Sequence, residues 1–101
     1  MAKYKDNDSD PIFTRGDVCN ILQVSALTIS NREKSGKYPE PDRDMNNYRI
    51  YNLNDVLNLQ LITHGKIDTR PIISVLYDKG FKDTRKLGML MERALNRKKG
   101  R

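Results

Sequence analysis

The sequence predicts a mainly α fold in which five short helices are interrupted by one small two-stranded hairpin. Three observations predict it. Apolar residues recur at helical spacing in separate segments, and each segment opens on a Ser, Thr, Asn or Asp. The one stretch that breaks this rhythm carries two prolines, an Asn-Asn pair and the alternating run "YRIY". With 101 residues and 37% hydrophobic content, one compact domain with little core to spare is expected.

The first ten residues, "MAKYKDNDSD", are polar and charge-mixed without an apolar period, so a flexible N-terminal arm is expected over residues 1–11. Thr14, with Asp17 three residues on, has the spacing of a helix start, and Val18, Ile21 and Leu22 follow at i, i+3 and i+4. A first helix is predicted from Arg15 to Leu22. Gln23 and Val24 make a tight turn, Ser25 is a second N-cap, and "ALTISNREKS" runs without a breaker to Gly36. Pro39 and Pro41 forbid a regular helix after it, and Asn46-Asn47 favours the turn of a hairpin. Asn52 and Asp55 open a third helix carrying Val56, Leu57, Leu59, Leu61 and Ile62, which ends before Gly65. Asp68 or Thr69 caps a fourth, with Pro71 tolerated in its first turn and Gly80 as its stop. Asp83 or Thr84 caps a fifth, where Leu87, Leu90, Met91, Ala94 and Leu95 form one stripe. That stripe has two readings: it closes the core of its own chain, or it pairs with a second copy.

The formal net charge is +6, and all of it resides after residue 81: eight basic residues stand against Asp83 and Glu92 there, while the preceding residues balance. A polyanion is the first partner such a distribution suggests. Cys19 has no second thiol to pair with and is expected to be buried as a small hydrophobe. His64 ends the third helix without an acid-base partner. Nothing in the sequence forms a nucleophile-base pair, a carboxylate pair or a phosphate loop, so an enzyme, a metal site and a cofactor are not expected. No run resembles a signal peptide or a membrane span, and a soluble cytoplasmic, nucleoid-associated protein is the expectation.

A helix, a tight turn, a second helix and then a hairpin is an arrangement that docks on DNA. The second helix fits the major groove, and the hairpin reaches backbone or minor groove. The run "FTRGDVCNILQVSALTISNREKSGKYPEPDRDMNNYRIYNLNDV" resembles the winged helix-turn-helix of the MerR superfamily over about residues 12 to 62. "DVCNILQVSALTI" is similar to its helix-turn-helix pattern, and "YRIY" followed by a polar stretch and "DV" to its wing and the helix after it. "REKSGKYPEP" is similar to the branch of small AlpA-type and excisionase-type proteins. The resemblance implies a winged helix-turn-helix over residues 12–81, with a small two-stranded wing and additional C-terminal helices. It implies Thr28, Ser30, Asn31 and Arg32 on the recognition helix, Ile29 as a buried aliphatic, and Arg49 as the wing arginine. The sequence departs from the family's regulators where they carry Arg-Tyr-Tyr-Glu, for here the run is Ser30, Asn31, Arg32, Glu33.

The chemistry of these residues suits that role, because Ser, Thr and Asn bond phosphates or base edges, Asn pairs with adenine, and Arg with guanine or phosphate. Arg32, Asn31, Ser30 and Thr28 read as DNA contacts or as solvated helix residues. Arg49 reads as a phosphate or minor-groove contact, or as an ion pair with Asp42 or Asp44. Of the two wing tyrosines, Tyr51 is expected in the core and Tyr48 toward DNA. Thr14 and Arg15 at the first helix N-terminus read as a phosphate site or as capping alone. Ser25, Lys37 and Arg43 flank these positions and complete the set with Lys98 and Lys99. The latter lie in the basic tail "NRKKGR" that ends the amphipathic C-terminal segment 82–101, and the five basic residues from Arg93 onward exceed what a helix dipole needs and suit phosphate attraction.

The sequence thus leads to a sequence-specific double-stranded-DNA-binding protein, as a small bacterial, plasmid or phage transcription regulator. An excisionase-like architectural factor, a segregation factor and a packaging subunit use similar modules. A homodimer or cooperative assembly on DNA is left open, as is an adaptor that recruits a protein through the C-terminal helices. Ligand-controlled activation is not expected, since no space remains for an effector domain.

Overall fold

The computed structural model describes residues 11–99, with side chains through Asn96. The element order is β1 (Ile12–Phe13), α1 (Arg15–Leu22), α2 (Ala26–Lys34), β2 (Asp42–Arg43), β3 (Arg49–Asn52), α3 (Leu53–His64), α4 (Thr69–Asp78) and α5 (Thr84–Lys99). The fold is mainly helical with a small three-stranded antiparallel sheet. Among the described residues no helix is long and apolar enough to cross a membrane.

Local sequence chemistry sets the helix starts. At α1, Thr14 Oγ1 accepts from the Asp17 N–H at 3.1 Å, and Asp17 Oδ2 accepts from the Thr14 N–H at 2.9 Å, a reciprocal capping box. Asn52 and Asp55 repeat it at α3, with bonds of 2.7 and 3.0 Å. Ser25 caps α2 and Asp68 caps α4. Gln23 ends α1 in the left-handed region at φ 61°, and its side-chain Nε2 steadies the turn by donating to the Asn20 carbonyl at 2.9 Å.

The sheet departs from the sequence expectation. The hairpin of β2 and β3 is present, but β3 is the middle strand and pairs on its other edge with β1, Phe13 opposite Tyr51 and Ile12 opposite Asn52. A two-residue strand shows no alternation, and Thr14 turns the chain into α1 at once, so β1 left no periodic signal. Asn52 is both the last residue of β3 and the cap of α3, so the sheet and α3 are joined without a loop. The arm expected over residues 1–11 lies outside the described residues except for Pro11, which is fully buried.

α1 is the hub of the core and packs on α2, α3, α4, β1 and β3. Its Val18 and Leu22 are fully buried with Phe13, Ile29, Val56, Leu57, Ile72 and Leu76. The stripe of α5 packs on its own chain: Leu87, Met91 and Ala94 join this cluster, and Leu90 and Leu95 lie partly buried against it. Cys19 is half-buried against the same core.

Three polar ties secure the helix ends. The Gln60 side chain, 1% exposed, donates through Nε2 to the Asp68 carbonyl at 2.8 Å and accepts from the Asp68 N–H at 3.2 Å, pinning the α3–α4 connection. His64 Nε2 donates to the Leu22 carbonyl at 3.1 Å, joining the ends of α3 and α1. Lys79 Nζ stands 2.7 Å from Asp17 Oδ2, tying the end of α4 to the start of α1. Burial pushes the Asp17 carboxyl up, but the Lys79 hydrogen bond, the Thr14 backbone N–H and the Lys79 charge together hold it below its ordinary value of 3.8.

Two outcomes are expected. Gln60→Leu keeps the volume but leaves the Asp68 backbone groups unpaired, and should destabilise the domain by about 1–3 kcal/mol in urea unfolding. An unchanged midpoint would mean that water replaces the amide at no cost. A carboxylate with a depressed folded pKa stabilises above its unfolded pKa and loses that stabilisation as pH falls through the folded one. Asp17→Asn should therefore be less stable than the parent at neutral pH by about 1 kcal/mol. The gap should close as the pH is lowered below 3.8.

Candidate nucleic-acid interface

α2 has one buried anchor, Ile29. Residues two positions to either side of a helical anchor lie about 200° around the axis, on the opposite face. That face carries Leu27, 69% exposed, and the exposed Asn31, with exposed Lys34 one turn further on. Neither Asn31 nor Lys34 has a side-chain partner within the described residues. Ser30 lies half-buried at the flank. Ser25 and Thr28 satisfy each other: Ser25 Oγ accepts from the Thr28 N–H at 3.1 Å and shares a hydrogen bond with Thr28 Oγ1 at 3.0 Å.

Arg32 turns away from this face. Its Nη1 donates to Tyr38 Oη at 3.0 Å, and Tyr38 Oη shares a 2.5 Å hydrogen bond with Thr63 Oγ1 of α3. Tyr38 itself is buried, so the chain leaving α2 is plugged into the core. Lys37 beside it is exposed.

The hairpin is built on Asp44. Its Oδ1 accepts from the Asn46 and Tyr48 N–H groups, each at 2.9 Å, and Asn47 takes the left-handed turn position at φ 70°. Arg43 Nη1 donates to the Asn47 carbonyl at 3.0 Å, spending one of its donors inside the turn. Tyr48 is 70% and Met45 96% exposed at the tip, while Tyr51 is buried. The burial of Tyr51 matches the expectation that it packs in the core.

Arg49 is held by a residue that sequence reasoning did not pair with it. The partner is Glu33 of α2, in place of Asp42 or Asp44. Arg49 Nη2 and Nε donate to Glu33 Oε1 at 2.9 and 3.0 Å, and Nε also reaches Oε2 at 3.1 Å. Tyr51 Oη donates to Glu33 Oε2 at 3.3 Å. The pair is sheltered, the side chains of Arg49 and Glu33 being 20% and 12% exposed. Glu33 raises Arg49 further above its ordinary value. Burial, and then the Glu33 charge, push the Tyr51 hydroxyl up to about 12, so it stays a donor at neutral pH.

Thr14, Arg15, Tyr48 and Arg49 meet at one groove of about 360 Å³ between the start of α1 and the hairpin, with Asn47 and Ile50 on its walls. Thr14 is engaged in capping there, and Arg15 is half-buried. Ser25, Thr28, Ser30, Asn31 and Arg32 do not line this groove. Lys98 and Lys99 fall in the last turn of α5, and their side chains lie outside the described ones. Sequence reasoning missed Leu27, Lys34 and Met45 as exposed neighbours. The first two were accessible from helical geometry once Ile29 was taken as buried. Compared with known protein families, with curated proteins and with solved structures, the chain has no match.

Glu33→Gln and Arg49→Met should each destabilise the domain by about 1–3 kcal/mol, since each strands a sheltered polar partner. Combined, they should cost less than their sum in a double-mutant cycle. Strict additivity would mean that the two side chains meet without energetic coupling.

Proposed function

We propose that the protein is a sequence-specific double-stranded-DNA-binding protein of the winged helix-turn-helix kind, placing α2 in the major groove and the β2–β3 hairpin on the backbone or in the minor groove. The single observation that carries this reading is the outward face of α2. Leu27, Asn31 and Lys34 have no internal task, and they stand on a helix whose angle to the hairpin is set by the Glu33 to Arg49 pair. A helix presented in this way, with a hairpin fixed beside it, has the width and reach that the two grooves require. The resemblance of residues 12–62 to the AlpA and excisionase branch of the MerR superfamily supports the same reading. So does the net charge of +6.

On DNA the protein acts as a small transcription regulator by occupying its site. An excisionase-like architectural or segregation role uses the same contacts. A protein-interaction adaptor is the second reading, favoured by the exposed Tyr77 of α4, Phe81 between α4 and α5, and Met89 of α5.

The two readings separate in a selection from a randomised duplex pool at two salt concentrations, with the retained fraction sequenced. The DNA reading expects an enriched motif and an affinity that falls steeply and log-linearly with salt. Retention without enrichment, lost at the higher salt, would leave a basic surface only and favour the adaptor.

A further inference from the structure

We infer that the reading face of α2 recognises A·T base pairs, with Asn31 bonded to an adenine edge and Leu27 packed on a thymine methyl. This rests on the DNA-binding reading above and specifies its ligand.

Four observations lead to it. First, Leu27 is 69% exposed on a short polar helix whose core contact is Ile29 on the opposite side. Second, Leu27 and Asn31 are four residues apart, so their side chains are neighbours on one face, with Cβ atoms about 5–6 Å from one another. Third, Asn31 has no side-chain partner within the described residues, leaving both amide groups free. Fourth, the arginine of α2 and the arginine of β3 beside it are both engaged within the fold. Arg32 is bonded to Tyr38, and Arg49 is bonded twice over to Glu33.

The chemistry of the major groove converts this into a base preference. Adenine offers N7 as acceptor and N6 as donor, the complement of a carboxamide, and thymine alone offers a methyl group. An amide and an aliphatic side chain side by side match an adenine and a thymine methyl on the same or adjacent pairs. Guanine offers two acceptors and would engage only the amide NH2, and cytosine offers one donor and would engage only the amide oxygen, so adenine alone takes both. The remaining cation of the face, Lys34, is the last residue of α2. Helices docked in the major groove read bases with their N-terminal residues, which leaves Lys34 to the phosphates.

The test uses the full chain. Wild type, Leu27→Ala and Asn31→Ala are put through the duplex selection, and the enriched duplex is then remade with deoxyuridine for thymidine or 7-deazaadenine for adenine. Both substitutions lie opposite the core, and equal urea midpoints would show that the variants are folded. The expected wild-type motif has an A·T pair at its least tolerant position. Asn31→Ala should reduce the preference for that pair about tenfold, the size of one bidentate base contact. Removing the thymine methyl should weaken wild type about threefold and leave Leu27→Ala unaffected, and loss of adenine N7 should weaken wild type and leave Asn31→Ala unaffected. A motif fixed by G·C pairs, relaxed by Arg32→Ala or Arg49→Ala and unchanged in Leu27→Ala and Asn31→Ala, would overturn the inference and keep the DNA-binding reading. A wild-type chain that enriches no motif would overturn both.

Discussion

One carboxylate joins α2 to the sheet. Glu33 is on the penultimate residue of α2, and its two oxygens take Arg49 and Tyr51 from β3, which itself continues without a loop into α3. Moving α2 relative to the hairpin therefore means breaking a sheltered ion pair, unplugging Tyr38 from α3, or tilting a strand that two neighbours hold. A sheltered ion pair adds little net stability over an apolar substitute, because desolvating the charges offsets most of their attraction. Its effect is on geometry. The arginine fork accepts few orientations of the carboxylate, whereas an apolar contact at the same place would tolerate sliding.

The same economy explains what could be read from the sequence. Caps are local: Thr14 with Asp17 and Asn52 with Asp55 lie three residues apart, so the element starts were legible, and so were the apolar stripes between them. The ties that orient the elements are not local. Glu33 meets Arg49 across 16 residues and Tyr38 meets Thr63 across 25, and a single sequence gives no sign of such pairs. Arg49 is the instructive case. An arginine between two tyrosines on a hairpin has the composition of a phosphate contact, but the direction of its side chain depends on a carboxylate from another element. β1 was hidden for a different reason, since two residues cannot show a period.

The structure also separates the charge from the face proposed to read DNA. The residues before 82 balance, and α2 presents one cation outward, Lys34. The excess lies after residue 81, where Lys82 before α5 and Arg85, Lys86 and Arg93 on it are exposed while Leu87, Met91 and Ala94 hold the helix to the core. A helix anchored in this way keeps its basic side in a fixed relation to the rest of the domain through Asn96. Tethered charge of that kind acts over a Debye length, about 8–10 Å at ordinary ionic strength, and needs no register with individual bases.

On the proposed reading, affinity and selectivity would respond to different conditions. Phosphate neutralisation releases counterions, weakens with salt and is nearly the same for every sequence. An amide on adenine and an aliphatic side chain on a thymine methyl carry no net charge, so the difference they make between two duplexes is almost independent of salt. On the proposed reading, raising the ionic strength lowers binding to the preferred and the alternative duplex by similar factors and leaves their ratio in place. A face read by arginines would behave otherwise, because the charge that selects guanine would also be screened. On the proposed reading, the engagement of Arg32 by Tyr38 and of Arg49 by Glu33 is what would uncouple the two quantities.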